Sequence, residues 1–247
     1  MKVVVVGGTG RLGSQVVAEL QRRGQNAVPA APSTGFDTIS GAGVAEGLTG
    51  AQVVVDVSNS PSFEDAAVLQ FFQTSTKTLL AAEMTAGISH HVVLSIVGAD
   101  RARDSGYLRA KVAQEQLVAA GGVPYTIVRA TQFFEFLVSI ADAETSDGTV
   151  RVSSAHLQPI AASDLAVAVA DAAEGSPRGA VVEVAGPDAI GLDELIRRVL
   201  SATDDPRRVV TDDSVTYFGA HLDDTLLTPG PGARIGPTHL DDWLSRR

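Results

Sequence analysis

The stretch Val3-Val4-Val5-Val6-Gly7-Gly8-Thr9-Gly10-Arg11-Leu12-Gly13 decides the fold. Its first four residues are an unbroken β-branched run, the pattern of a strand buried on both faces, as in parallel sheets. Glycines at 7, 10 and 13 follow at once, and Leu12, Val16 and Leu20 then recur at helical spacing. Gly24 closes that helix. A Gly-x-x-Gly-x-x-Gly turn lets backbone approach a pyrophosphate closely, and the helix start offers N–H groups and the positive end of a dipole. The spacing alone arises by chance about 0.2 times in such a chain, so its place between buried strand and amphipathic helix makes the signature. Gly7, Thr9, Gly10, Arg11, Leu12 and Gly13 are therefore expected to hold a dinucleotide.

Working outward, residues 26–30 read as a weak second strand, interrupted by Pro29 and followed by Pro32 and Gly35. Residues 52–57 (QVVVDV) form the next buried strand, and the loop Ser58-Asn59-Ser60-Pro61 follows it. Ser62 is expected to cap a long helix, with Asp65 three residues later. Val68, Phe71, Phe72, Ser75 and Leu79 line its inner face, and Gly87 ends it. A strand at 91–95, a helix at 107–120 and a strand at 125–129 continue the alternation. The reading is an α/β chain, a doubly wound parallel sheet of Rossmann type. Beyond Phe136 the rhythm loosens into short strands at 150–152 and 181–184 and helices at 164–173 and 192–200. Residues 1–150 are thus expected to be the dinucleotide-binding core. Residues 151–247 are expected to pack on it as a small substrate-capping region, with Trp243 anchoring the tail.

Composition narrows the function. The 247 residues are 45% hydrophobic and 19% charged, ordinary for a globular chain. The net charge of −10 disfavours a nucleic-acid partner. With no cysteine, disulfides, thiolate metal sites and cysteine nucleophiles are excluded. The opening apolar run is too short for a signal peptide and nothing later approaches a membrane span, so a cytoplasmic protein is expected.

Dinucleotide sites often carry an acid after the second strand to hold the ribose hydroxyls. Here residues 29–34 read Pro-Ala-Ala-Pro-Ser-Thr. That disfavours strict NAD dependence, and Arg11, Ser33 and Thr34 can instead hold a 2′-phosphate, although a solvated Arg11 fits the sequence too. NADP(H) is the preferred cofactor, with NAD(H) as the alternative. Ser58 and Asn59 are expected along the cofactor, because ligands sit at the carboxyl ends of strands.

Tyr107 and Lys111 are four residues apart on one helix face. With three tyrosines and three lysines in the chain, such a pair arises by chance about 0.04 times. In this arrangement Tyr107 gives a proton to a carbonyl oxygen as hydride arrives. Lys111 lowers the phenol's pKa and can hold the nicotinamide ribose, and Ser95 orients the oxygen. An ordinary surface pair at a helix start fits the same spacing.

The glycine turn, Ser95, Tyr107-x-x-x-Lys111 and the segment from Val128 to Phe134 together resemble the short-chain dehydrogenase/reductase superfamily. The glycine spacing matches its atypical and extended branches, including NmrA-like proteins. Two later segments, from Gln158 to Ala166 and Ala185-Gly186-Pro187 with the helix after it, extend that resemblance over essentially the whole chain. The short loop 95–106 and the replacement of Asn-Asn-Ala-Gly by Ser58-Asn59-Ser60-Pro61 depart from the pattern. The resemblance implies NAD(P) binding and a substrate cleft roofed by the C-terminal region. The leading expectation is an oxidoreductase transferring hydride between nicotinamide and a small carbonyl, enone or quinone. The alternatives are a non-catalytic dinucleotide sensor and, more weakly, an epimerase on a sugar nucleotide.

Thr131, Phe133, Phe134 and His156 are candidates for the substrate pocket, with core packing equally suited to the phenylalanines. His90 and His91 show no acidic partner at ligand spacing and read as packing or solvated residues. The acid pairs at 212–213, 223–224 and 241–242 read as solvated surface, since adjacent carboxylates converge poorly on one ion. No metal is expected.

Overall fold

The computed structural model describes residues 1–246. In chain order its elements are β1 (Lys2–Val6), α1 (Arg11–Arg22), β2 (Asn26–Ala30), α2 (Val44–Leu48), β3 (Val53–Asp56), α3 (Asp65–Ala86) and β4 (His90–Ile96). Next come α4 (Gly106–Ala120), β5 (Tyr125–Ala130), α5 (Leu137–Ala143), β6 (Thr145–Ser146), β7 (Thr149–Val152), β8 (His156–Leu157) and α6 (Ala162–Glu174). The chain ends with β9 (Val181–Ala185), β10 (Ile190–Gly191), α7 (Leu192–Ala202), β11 (Arg208–Thr211), β12 (Arg234–Ile235) and α8 (Leu240–Leu244). A seven-stranded sheet runs in the order β12-β9-β5-β4-β3-β1-β2. This is the α/β Rossmann-type architecture expected from the sequence.

The chain forms two compact units, each assembled from three segments. The first holds Met1–Ser95, Gly106–Arg129 and Ala166–Val182. The second holds Ile96–Ser105, Ala130–Leu165 and the chain from Glu183 onward.

In the first unit β1 pairs in parallel with β2 on one side and β3 on the other, and β3 pairs in parallel with β4. Residues Val3 to Val6 are at most 3% exposed, as a strand covered on both faces requires. Helix α1 buries Leu12, Gly13, Val16, Val17 and Leu20 on one stripe. One expectation is corrected. Glu64, not Ser62, caps α3, its side chain accepting from the Ala67 amide at 3.3 Å, while the Ser62 hydroxyl accepts from the Glu64 amide. Of the two readings offered for His91, packing holds: it is fully buried, and its Nδ1 lies 2.8 Å from Oε1 of the equally buried Glu83. The partner comes from α3, eight positions earlier, so sequence spacing did not reveal it.

In the second unit β11, β7 and β6 form a three-stranded sheet, and β8 and β10 a two-stranded one. Phe134, Leu137, Ile140, Leu157, Leu195 and Ile196 sit in its core. Trp243 anchors the tail as expected, its ring 5.4 Å from that of Phe134 and its Nε1 donating to Glu135 at 3.0 Å. Two acid pairs have structural duties. Asp213 accepts from both the hydroxyl and amide of Ser154 and the hydroxyl of Ser153, and Asp224 pairs with His156. Among the described residues no helix is long and apolar enough to cross a membrane.

Candidate functional site

The turn after β1 is built on contacts that exclude side chains. Gly7 has φ +79° and its amide donates to the carbonyl of Ala30 at 2.8 Å. A Cβ on Gly7 would stand 2.9 Å from both Cα and N of Ser58. A Cβ on Gly13 would stand 2.1 Å from the Gly7 carbonyl oxygen, and one on Gly8 would stand 2.6 Å from that of Val5. Gly10 caps α1 with no side-chain bond, and the first turn of the helix holds no acid. No carboxylate in that turn therefore opposes an anion at the helix start.

The carboxyl end of β3 forms the neighbouring wall. Asp56 is 1% exposed, and its Oδ1 accepts from the Ser58 amide at 2.9 Å and the Ser58 hydroxyl at 2.6 Å. Its Oδ2 accepts from Gln114 Nε2 at 3.0 Å, and the Gln114 amide oxygen accepts from the Lys111 ammonium. Lys111 is 4% exposed, with Nζ 4.2 Å from the centroid of the Phe72 ring. Burial pulls its pKa down to about 8, against the upward pull of Asp56 and Glu115. Glu115 itself holds Arg129 in a buried two-bond ion pair at 2.7 and 2.9 Å.

Tyr107 meets the same wall. Its hydroxyl donates to Asn59 Oδ1 at 3.1 Å, and its ring packs against Phe63 (5.3 Å) and Phe72 (6.3 Å). Gly106 just before it leaves room for Asp65, whose carboxylate would lie 1.7 Å from a Cβ there and which pairs with Arg109 at 2.8 Å. In this structure the forces on the phenol's pKa come from burial and Asn59, and Lys111 is not among them. Burial pushes the phenol up to about 12, outweighing the Asn59 hydrogen bond, and the Lys111 ammonium is engaged by Gln114 and Phe72. Ser95, near the end of β4, is 2% exposed and its hydroxyl has no hydrogen-bond partner among the described residues.

The first unit thus contains Gly7, Thr9, Gly10, Arg11, Leu12, Gly13, Ser33, Thr34, Ser58, Asn59, Ser95, Tyr107 and Lys111. Of the 2′-phosphate candidates, Arg11 and Ser33 are exposed, while the Thr34 hydroxyl is committed to both the amide and the carbonyl of Ala31. The substrate candidates lie in the second unit. There the Thr131 hydroxyl donates to the Gln158 carbonyl at 2.6 Å, and Phe134 is a core residue. Phe133 bridges to Ile160, and His156, half-exposed, sits 2.7 Å from Asp224. Sequence reasoning missed Asp56 and Gln114. The signal for Asp56 was a lone carboxylate inside the QVVVDV run; Gln114 gave none. Among the described residues no group of three or more acids and histidines is placed to hold a metal.

No family model matches the chain. A (4-alkanoyl-5-oxo-2,5-dihydrofuran-3-yl)methyl phosphate reductase of Streptomyces griseus subsp. griseus is 29% identical over 205 residues, 76% of this chain and 69% of that protein. Photosystem II assembly factor Ycf39 of Cyanophora paradoxa is 28% identical over 152 residues, and this chain spans less than half of it, 47%. Among solved structures, MoeE5 in complex with UDP-glucose and NAD superposes with a TM-score of 0.76 at 19% identity, over 99% of this chain and 96% of that one. The NADPH complex of the Escherichia coli quinone oxidoreductase QOR2 gives 0.66 at 20% identity, over 85% and 77%. At such identities these likenesses establish the Rossmann-type fold.

Proposed function

We propose that the chain is an NAD(P)H-dependent oxidoreductase, with NADP(H) preferred, acting on a small carbonyl, enone or quinone. The carrying observation is the β1–α1 turn, where Cβ atoms on Gly7, Gly8 and Gly13 would stand 2.1 to 2.9 Å from backbone atoms. Such a turn suits a pyrophosphate laid against backbone at a helix start. When bound, the dinucleotide supplies the hydride. Arg11 and Ser33 are the groups suited to a 2′-phosphate, while Thr34 is already spent on Ala31.

Ser95 brings a buried hydroxyl without a hydrogen-bond partner, suited to a substrate oxygen. Tyr107 stays a neutral phenol and can donate a hydrogen bond. With its pKa raised to about 12, it is a reluctant proton source. That favours a substrate whose reduced form takes protons from water, as a quinone does. The Streptomyces relative, named as a reductase of an alkanoyl-substituted oxo-dihydrofuran, supports the enone arm. The Escherichia coli neighbour supports the quinone arm.

The test is NADPH consumption by the purified protein across ketones, enones and quinones, run beside Tyr107→Phe. Turnover that collapses in the variant assigns the proton to Tyr107; turnover that survives with quinones assigns it to water. A second reading, a dinucleotide sensor without turnover, draws on the same untuned phenol and the inward-turned Lys111. It requires cofactor binding, a difference between oxidised and reduced forms, and no consumption with any acceptor. Purification with NAD tightly bound would turn the reading toward an epimerase.

A further inference from the structure

A buried, polar line runs from helix α4 to the wall of the glycine turn, and hydride transfer makes no use of it. It comprises Lys111, Gln114, Asp56 and Ser58, and each link has one chemically allowed direction. An ammonium only donates and a carboxylate only accepts. The Gln114 amide between them must therefore turn its oxygen to Lys111 and its NH2 to Asp56, as it does. Asp56 then has one oxygen committed to Gln114 and the other to both polar groups of Ser58.

The outer end of the line is a close backbone contact. Ser58 Cα and N occupy the space where any side chain on Gly7 would point. A shift of Ser58 by a few tenths of an ångström would either press on Gly7 or open a gap behind it. The inner end explains the lysine. A carboxylate as buried as Asp56 is costly unless balanced by opposite charge. Lys111 supplies that charge through Gln114, while the face of Phe72 covers the ammonium's other side.

We propose that Asp56, Gln114 and Lys111 are positioning residues that latch Ser58 against Gly7 and so set the wall along which the dinucleotide binds. Lys111 then acts inward, on the binding site's frame, and not on the phenol of Tyr107. The purpose of the latch rests on the dinucleotide reading above; the latch itself does not.

Two measurements separate the two. The first is NMR amide exchange of the ligand-free protein, comparing the Ser58 amide with the Leu79 amide of α3 as a monitor of global opening. Asp56→Ala is expected to speed Ser58 exchange at least tenfold. Gln114→Met and Lys111→Met, which leave Asp56 and Ser58 in place, are expected to speed it at least threefold, with Leu79 changing less. Ser58 rates that stay constant, or rise only in step with Leu79, overturn the latch. The second is NADPH affinity by titration calorimetry. Gln114→Met is expected to weaken it about tenfold. Unchanged affinity alongside faster Ser58 exchange overturns the positioning role. Wild-type protein that binds neither NADPH nor NADH overturns the dinucleotide reading and the positioning role with it, while the exchange result still decides the latch.

Discussion

The phenol of Tyr107 donates a hydrogen bond to the side-chain carbonyl of Asn59 at 3.1 Å, joining the start of α4 to the loop after β3. Burial of the ring outweighs the downward pull of this contact and keeps the hydroxyl neutral over the whole physiological range. Removing the hydroxyl in Tyr107→Phe is expected to leave quinone reduction within about threefold of wild type and to lower ketone reduction at least tenfold. Steady-state kinetics with paired quinone and ketone substrates check this.

Gly13→Ala places a methyl group where the Gly7 carbonyl oxygen now sits, 2.1 Å away. The turn must move. The variant is expected to lose about 1–3 kcal/mol of stability, the usual cost of overpacking, and to bind NADPH at least tenfold more weakly. Urea unfolding and titration calorimetry measure the two separately. Equal affinity in a variant that folds would remove the turn from the cofactor site.

Arg11→Ala tests cofactor choice. The side chain is exposed on the first turn of α1. Its loss is expected to weaken NADPH binding about tenfold and to leave NADH binding nearly unchanged, since only the former carries the 2′-phosphate. Parallel Kd values for the two cofactors decide it.

Lys111 gives a pH signature. Burial lowers its pKa from 10.5 to about 8. Between these values the unfolded chain holds a proton that the folded chain has released, so this group makes stability rise with pH across that window. Relative to Lys111→Met, wild-type protein is expected to gain about 1 kcal/mol between pH 8 and pH 9. Urea unfolding at both pH values measures the difference.

His91 works in the opposite direction. Burial pulls its pKa down, but Glu83, by charge and hydrogen bond, and Asp56 together raise it above the ordinary 6.5. The ion pair's stabilisation is fully present below pH 6.5 and is lost as pH rises through the raised value. Glu83→Gln is expected to cost about 3–5 kcal/mol at pH 6, where it strands a buried cation, and clearly less at pH 9. Unfolding curves at the two pH values check the sign.

Local pattern made the sheet, the glycine turn and the order of helices legible, because buried strands and amphipathic helices repeat with short periods along the chain. Val3 to Val6, the spacing of Gly7, Gly10 and Gly13, and the face of α1 needed no long-range information. Tyr107 and Lys111 were also visible, but the contacts of the lysine were not. The sequence places a cation four residues from a phenol; the direction of that cation is set by Phe72 on α3 and by Gln114, itself aimed by Asp56 on β3. Glu83 escaped notice as the partner of His91 for the same reason, since a helix and a strand bring them together. The division of the chain into units built from three segments each was likewise invisible in composition. Sequence by itself determined the main strands and helices through β5, since these depend on local burial and backbone geometry. Tertiary structure alone decided which charges meet and which titrate abnormally, since burial and pairing depend on neighbours far away in the chain.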